Sequence, residues 1–245
     1  MAGQVSSAPP GTLEESQVQA MFDRIARLYD GMNTVMTAGL HHRWRRRAVD
    51  LAHVAPGDRV LDVATGTGDL AFELAARVAP GGEVIGTDFS ERMLDIARSK
   101  APARAAWDVS VRFEPGNALA LRYPDGSFAA ATVGFGARNF SDLERGLGEM
   151  ARVVRPGGRV VVLEITTPRR PPLSSFFHVW FDRVVPALGR FAGDSQAYSY
   201  LPSSVRRFPG PEELAGVMAR CGLRSIRYVL TGGGIIALHA GEVAR

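Results

Sequence analysis

Leu61-Asp-Val-Ala-Thr-Gly-Thr-Gly-Asp69 is the stretch whose reading decides the fold. It grows out of a short β-branched run, Arg59-Val-Leu-Asp-Val63, and leads into Asp69 to Val78, where Leu70, Leu74 and Val78 have helical spacing. A strand therefore meets a helix through a glycine-rich turn. Glycines there let the backbone approach a ligand and let the helix start tightly against the strand. Pro80-Gly-Gly82 stops that helix, and Glu83-Val-Ile-Gly-Thr-Asp88 reads as a second strand. Asp88 ends it about 20 residues past the turn, where a carboxylate can accept both ribose hydroxyls of a nucleoside.

Working outward, the same alternation continues. Ser90 caps a helix to about Arg98, Val109 to Phe113 is a third strand, and Ala129 to Phe135 a fourth. A helix from Ser141 or Asp142 to Val154 reaches the turn Pro156-Gly-Gly158, then a fifth strand, Arg159 to Glu164. Pro211 to Cys221 reads as a helix, and Ser225 to Leu230 and Gly234 to His239 as two final strands. The pattern predicts an α/β fold: a doubly wound, mostly parallel seven-stranded sheet with right-handed crossovers and an antiparallel late strand. Residues 1 to 16 read as a disordered lead, and 17 to 245 as one domain. Within it, 17 to 54 form a helical lid interrupted at Asp30-Gly-Met-Asn33, with Met21, Phe22, Ile25 and Leu28 as a buried face, and 168 to 209 form an insertion.

The 245 residues are 46% apolar and 22% charged, an ordinary globular balance. One cysteine, Cys221, leaves no intramolecular disulfide and no multi-cysteine zinc site, so no metal is expected and a reducing, cytoplasmic setting fits. No run approaches the roughly 20 apolar residues of a membrane-spanning helix, and the N-terminus does not read as a signal peptide. The net charge of +4 is mildly basic, with arginines clustered at 43, 45, 46, 47, 169 and 170. Such a balance suits an anionic partner, or simply a solvated charged surface.

The glycine turn alone leaves the ligand open. Gly66-Thr-Gly-Asp-Leu-Ala71 also fits a dinucleotide fingerprint, which would make the chain an NAD-dependent dehydrogenase. Asp69 argues otherwise. It sits where a pyrophosphate would lie, repelling phosphate and attracting the cationic S-adenosylmethionine, although an acidic first helical residue also serves the helix dipole alone. Asn117 in Glu114-Pro-Gly-Asn-Ala118 can meet an adenine edge, and Gly134-Phe-Gly-Ala-Arg-Asn139 lines the crevice at the end of the fourth strand.

Tyr29-Asp-Gly-Met-Asn-Thr-Val-Met-Thr-Ala-Gly-Leu-His-His-Arg-Trp44 and Arg152-Val-Val-Arg-Pro-Gly-Gly-Arg-Val-Val-Val-Leu-Glu164 resemble the two signatures of the ubiquinone/menaquinone biosynthesis C-methyltransferases. Phe135 to Asn139 and Tyr198-Ser-Tyr-Leu201 resemble two further segments of that family, so the likeness runs from about Val18 to His239. It implies a Rossmann-like class I methyltransferase with S-adenosylmethionine as cofactor. Cofactor contacts carry over to Thr67, Asp88, Asn117, Ala118 and position 134, beside Gly66, Gly68 and Asp69 of the turn. Many members have serine where this chain has Gly134, so only a backbone role survives there.

The implied reaction is C-methylation of a prenylated quinol, with demethylmenaquinol favoured over the benzoquinol of the ubiquinone pathway. Its ring carbon is a poor nucleophile until the neighbouring hydroxyl, which titrates near pH ~10, is ionised. Arg138 is the first candidate to stabilise the phenolate, with Asn139 beside it, and His41 or His42 as base or orienting group. Tyr29, Asp30 and Asn33 are placed in the lid. Phe176, Phe177, Trp180 and Phe181 are expected to cover the prenyl tail, with Arg169 and Arg170 facing lipid headgroups at the inner face of the cell membrane. A homodimer is compatible and no nucleic-acid partner is expected: the Asn/Asp-Pro-Pro-aromatic loop of amino methylation is missing, and Cys221 falls in a late helix. A sister methyltransferase on another lipid-like acceptor is the nearest rival.

Overall fold

The computed structural model describes residues 15–101, 108–168, 171–184 and 195–244. Its seven strands are β1 (Arg59–Val63), β2 (Glu83–Asp88), β3 (Ser110–Pro115), β4 (Phe128–Gly134), β5 (Val154–Ile165), β6 (Leu223–Thr231) and β7 (Ile236–Val243). They form one sheet in the order β3-β2-β1-β4-β5-β7-β6. All neighbours are parallel except that β7 runs antiparallel to both β5 and β6. The expected mixed sheet with an antiparallel late strand is thus present. Strand order reverses between β1 and β4, and such a reversal opens a crevice at the carboxyl ends of the strands.

β1 shows why the sheet is covered on both sides. Val60 points to a cluster with Leu70, Leu74, Trp44 and Val161, whereas Leu61 and Val63 point to another with Leu147, Met150, Leu214 and Met218. The period-2 alternation of a strand buried on both faces puts each residue in one layer or the other. Helices α2 (Leu40–Ala52) and α3 (Asp69–Val78) cover the first face; α5 (Leu143–Val153) and the late helix Pro211–Arg220 cover the second. Ser90 caps α4 (Glu91–Lys100) by accepting the Met93 N–H at 3.2 Å, and Asp142 caps α5 through the Arg145 N–H at 2.9 Å.

Four expectations about local structure are corrected. The helical break does not fall at Asp30-Gly-Met-Asn33: α1 runs unbroken over Glu15–Thr37, and the chain turns at Ala38 and Gly39, whose φ angles are 48° and 75°. Gly31 and Asn33 are tolerated inside because the apolar stripe on either side continues in phase. Residues 15 and 16 of the expected lead belong to that helix. Leu28, expected inside, is 52% exposed, although it lies on the same side of the helix as buried Met21, seven residues earlier. Pro156-Gly-Gly158 is a bulge within β5, between the pairs Phe128–Val154 and Ala130–Arg159, so the strand starts five residues before the expected Arg159.

The decisive turn is shaped by two glycines with different surroundings. Gly66 (φ +56°) has open space where a Cβ would stand, on the crevice side. At Gly68 (φ +84°) a Cβ would come within 2.8 Å of the Phe113 ring and 3.1 Å of Ala97. Gly68→Ala is therefore expected to cost about 2–4 kcal/mol, combining the left-handed backbone with overpacking. Urea denaturation measures it, and a loss below about 0.5 kcal/mol would mean the turn has room to relax.

Candidate functional site

The crevice at the carboxyl ends of β1, β2 and β4 holds a cavity open to the surface. Gly66, Thr67, Asp69, Asp88, Asn117, Ala118 and Gly134 all line it, as does Asn139. Gly68 stands behind this wall as packing. Asp88 is nearly buried and accepts the N–H groups of Gly66 at 2.8 Å and Ser90 at 2.9 Å. Burial pushes its carboxyl up to about 6 against those donors, so it is ionised at neutral pH. Asp62, buried in the floor, is likewise raised to about 6 by burial, and accepts the hydroxyls of Thr65 and Thr132 at 2.6 and 2.7 Å. A Cβ at Gly134 would meet Leu70 at 3.0 Å, so a side chain there needs Leu70 to give way.

Helix α1 lies across this cavity and is tied to the loops after β1, β2 and β3 by one polar stripe. Glu15 accepts from Asn117 Nδ2 at 2.9 Å, and Gln19 donates to the Phe89 carbonyl at 2.6 Å. Asp23 accepts the Ser90 hydroxyl at 2.6 Å, and Asp30 the Thr67 hydroxyl at 2.6 Å. The positions 15, 19, 23 and 30 fall on one side of a 3.6-residue helix. The adjoining stripe, Phe22, Ile25, Tyr29, Met32 and Met36, faces a second cavity.

Asp69 does not act as the lone anion that sequence reasoning took it for. Its carboxylate lies 3.0 Å from Lys100 Nζ and 3.2 Å from the Arg45 guanidinium, and Lys100 also pairs with Asp30 at 2.5 Å. Burial opposes its charge, but Arg45 and Lys100 hold it below the usual carboxylate range. The argument from charge survives in another form. The charged residues lining the cavity are Glu15, Asp62, Asp69, Asp88 and Arg45, an acidic set that suits a cationic nucleoside and repels a pyrophosphate.

The second cavity, about 340 Å³, shares Phe22, Tyr29 and Phe135 with the first, so the two adjoin. Its wall is largely apolar: Met21, Ile25, Met32, Trp44, Ile165, Phe177, Trp180, Phe181 and Leu201 contribute. Phe177 and Phe181 stack at 4.2 Å between centroids. The Phe176 side chain, Arg169 and Arg170 lie outside the described residues. Two polar groups among those lining the cavity were expected to be functional.

Arg138 is one. It is buried, and Nη1 donates to Glu164 at 3.0 and 3.1 Å and to the Phe135 carbonyl. Burial disfavours its charge, but Glu164 keeps it protonated. Arg138 Nε is buried with no hydrogen-bond partner. Glu164, from the end of β5, is buried and does not line the cavity. Tyr200, its hydroxyl pushed up by burial, lies 3.2 Å from Asn139 Oδ1 and donates to it.

His41 is the other. It is buried, with Nδ1 against the Arg45 guanidinium and Nε2 3.3 Å from the Thr34 hydroxyl. Burial first, then Arg45, lowers its pKa to about 4, so the ring is neutral at pH 7. Its neighbour His42 is exposed and does not line either cavity.

The profile of the ubiE/COQ5 methyltransferase family matches residues 11–243. The chain belongs to this family. It is 51% identical over 223 residues to the demethylmenaquinone methyltransferase of Thermus thermophilus, covering 91% of this chain and 99% of that one. It is 38% identical to the ubiquinone/menaquinone biosynthesis C-methyltransferase UbiE of Geotalea uraniireducens, covering 94% and 98%. A SAM-dependent methyltransferase from Thermotoga maritima shares the fold, with a TM-score of 0.64 at 21% identity, covering 91% of this chain and 98% of that one. The protein is an S-adenosylmethionine-dependent methyltransferase, and the acidic cleft with Asp88 at the end of β2 fits that cofactor.

Sequence reasoning missed Arg45, Glu164, Tyr200 and Lys100. For Arg45 a signal existed: His41, Trp44, Arg45, Ala48, Val49 and Ala52 form the buried stripe of α2, so its position betrays burial. Glu164 and Lys100 had none, because their partners are distant in sequence.

If Asp88 binds the ribose as a carboxylate, cofactor affinity should weaken as pH falls through 6. About tenfold is expected between pH 7.5 and 5, where about a tenth of the group stays ionised. Calorimetric titration of the wild type and Asp88→Asn checks this. The variant should bind weakly at both pH values and lose most of the dependence; a flat wild-type profile would remove Asp88's charge from binding.

Proposed function

We propose that this methyltransferase C-methylates a prenylated hydroquinone, with demethylmenaquinol as substrate and menaquinol as product. The observation that carries this reading is Arg138, a buried cation paired with Glu164, in the wall of an apolar cavity adjoining the cofactor cleft. The curated relatives named for menaquinone biosynthesis support the naphthoquinol.

When bound, S-adenosylmethionine supplies an electrophilic methyl group. The chain's own residues make the ring reactive. The Arg138 guanidinium holds a ring oxygen and favours its ionised form, since a fixed cationic donor in a low-dielectric wall stabilises developing negative charge. The Arg138–Glu164 pair is neutral overall, so an uncharged quinol can enter before any proton moves. Asn139, held by Tyr200, lies on the cofactor side and orients the same ring edge. His41 is neutral, and its lone pair faces Arg45, so it orients the ring end of the site. The phenolic proton leaves to water, and after methyl transfer the proton on the methylated ring carbon also leaves to water while the ring oxygen takes one back, which restores the aromatic quinol. Phe22, Tyr29 and Phe135 at the junction fix the ring against the cleft, and the Phe177, Trp180 and Phe181 wall takes the tail.

Arg138→Lys is expected to lower turnover about 100-fold, the scale of one lost donor, while cofactor affinity changes by less than about twofold. The lysine keeps a charge for Glu164, so the fold should persist. Labelled S-adenosylmethionine with both demethylated quinols, followed by mass analysis of the products, tests the substrate at the same time. Unchanged turnover removes Arg138 from the mechanism, and methylation of neither quinol sinks the assignment.

Among the described residues no helix is long and apolar enough to cross a membrane. We place the enzyme peripherally on the inner face of the membrane, where its substrate dissolves. Leu40 at the cavity rim, Leu28 and Val35 on α1, and Leu173 and Val179 on the helix Leu173–Val179 are exposed. The outer face of α2 carries Arg43, Arg46 and Arg47. Apolar insertion and attraction to anionic headgroups then act together. Sedimentation with anionic vesicles should carry most of the protein down at low salt and less at high salt; no association at either would refute the placement.

A further inference from the structure

Among the described residues lining the cofactor cleft, Arg45 is the only cationic side chain. It projects from the buried stripe of α2 and is 6% exposed. Its guanidinium lies 3.2 Å from Asp69 Oδ2, against His41 Nδ1, and 5.9 Å from the centre of the Phe135 ring. Burying a guanidinium is costly unless anions face it. Asp69 is shared with Lys100 at 3.0 Å, and His41, being neutral, offers an acceptor without charge. Among the described residues, Arg45 therefore has one paired carboxylate, shared with Lys100, and the more distant buried Asp62 as its counter-charges. It also stands beside the start of α3, where Asp69 is the first residue and Gly68 makes no side-chain cap, so the helix end adds positive potential.

S-adenosylmethionine carries one anionic group, the carboxylate of its amino-acid end. We propose that Arg45 binds that carboxylate. Asp69 and Phe135 hold the guanidinium plane in place, and His41 fixes its orientation by accepting from it. The planar fork of arginine suits a carboxylate in a way that a lysine ammonium does not. The arrangement gives the otherwise acidic cleft one point of opposite sign, so the zwitterionic end of the cofactor can enter in one direction. The arginine cluster of the sequence thereby divides: Arg45 turns into the cleft, and Arg43, Arg46 and Arg47 remain on the surface. The inference rests on the cofactor alone and is independent of the quinol assignment.

The test is a binding cycle by calorimetry, with no turnover needed. The probes are S-adenosylmethionine and its decarboxylated form, S-adenosyl-3-methylthiopropylamine, against wild type, Arg45→Gln and Arg45→Lys. The wild type should bind the decarboxylated probe roughly ten- to a hundred-fold more weakly, the range of a charge-assisted contact. Arg45→Gln should bind S-adenosylmethionine weakly and discriminate between the probes by no more than about twofold. Arg45→Lys should fall between, and it serves as the test if the glutamine variant does not fold by circular dichroism. Equal binding of both probes by the wild type overturns the proposal at once. So does full wild-type discrimination in either folded variant, which would leave Arg45 as a strut between α2 and α3.

Discussion

The contact between the bare Gly68 backbone and the ring of Phe113 is the constraint on which the other features depend. It lets α3 begin directly against the carboxyl ends of β1 and β2, with Ala97 of α4 also in reach. Because the helix starts there, the backbone at Gly66 faces open space and the Thr67 hydroxyl faces α1. Asp88 can then reach the Gly66 N–H from the next strand. A larger residue at 68 would push α3 away from the sheet and separate these groups together. The cofactor cleft is in this sense a consequence of one close packing contact.

Two different electrostatic regimes adjoin across Phe22, Tyr29 and Phe135. The first cavity is lined by Glu15, Asp62, Asp69 and Asp88, and Arg45 is the exception in sign. On the other side, a buried arginine is balanced by a buried glutamate within an apolar wall. A pair of that kind contributes little to stability, since desolvation offsets most of the attraction. Its value lies in presenting a fixed donor without net charge. In the proposed reaction, an apolar quinol and a charged cofactor would thus occupy adjoining spaces, neither bearing the other's solvation cost.

Helix α1 couples the two regimes. Its polar stripe ties it to the loops after β1, β2 and β3, while its apolar stripe roofs the second cavity. Much of this was legible beforehand in outline: the periodicity of Met21, Phe22 and Ile25 marks a helix with one buried face. Its length was not. Gly31 and Asn33 look like a break in a linear reading, yet packing along both stripes carries the helix through them to Ala38 and Gly39.

The sequence by itself determined the strand-turn-helix units, the cap at Ser90, and the late antiparallel strand. These depend on local spacing, side-chain periodicity and turn chemistry, all of which are properties of neighbours in the chain. It also placed Thr67, Asp88, Asn117 and Gly134 at one crevice, because strand ends in such a sheet converge by topology. Only the tertiary structure decided what each charge does. Asp69 changed from a bare anion into the shared partner of Arg45 and Lys100, residues 24 positions before and 31 after it. Arg138 acquired Glu164 and an unpartnered Nε–H in the same way. Charge in a protein is set by distance through space and by burial, and neither is written in the order of the residues.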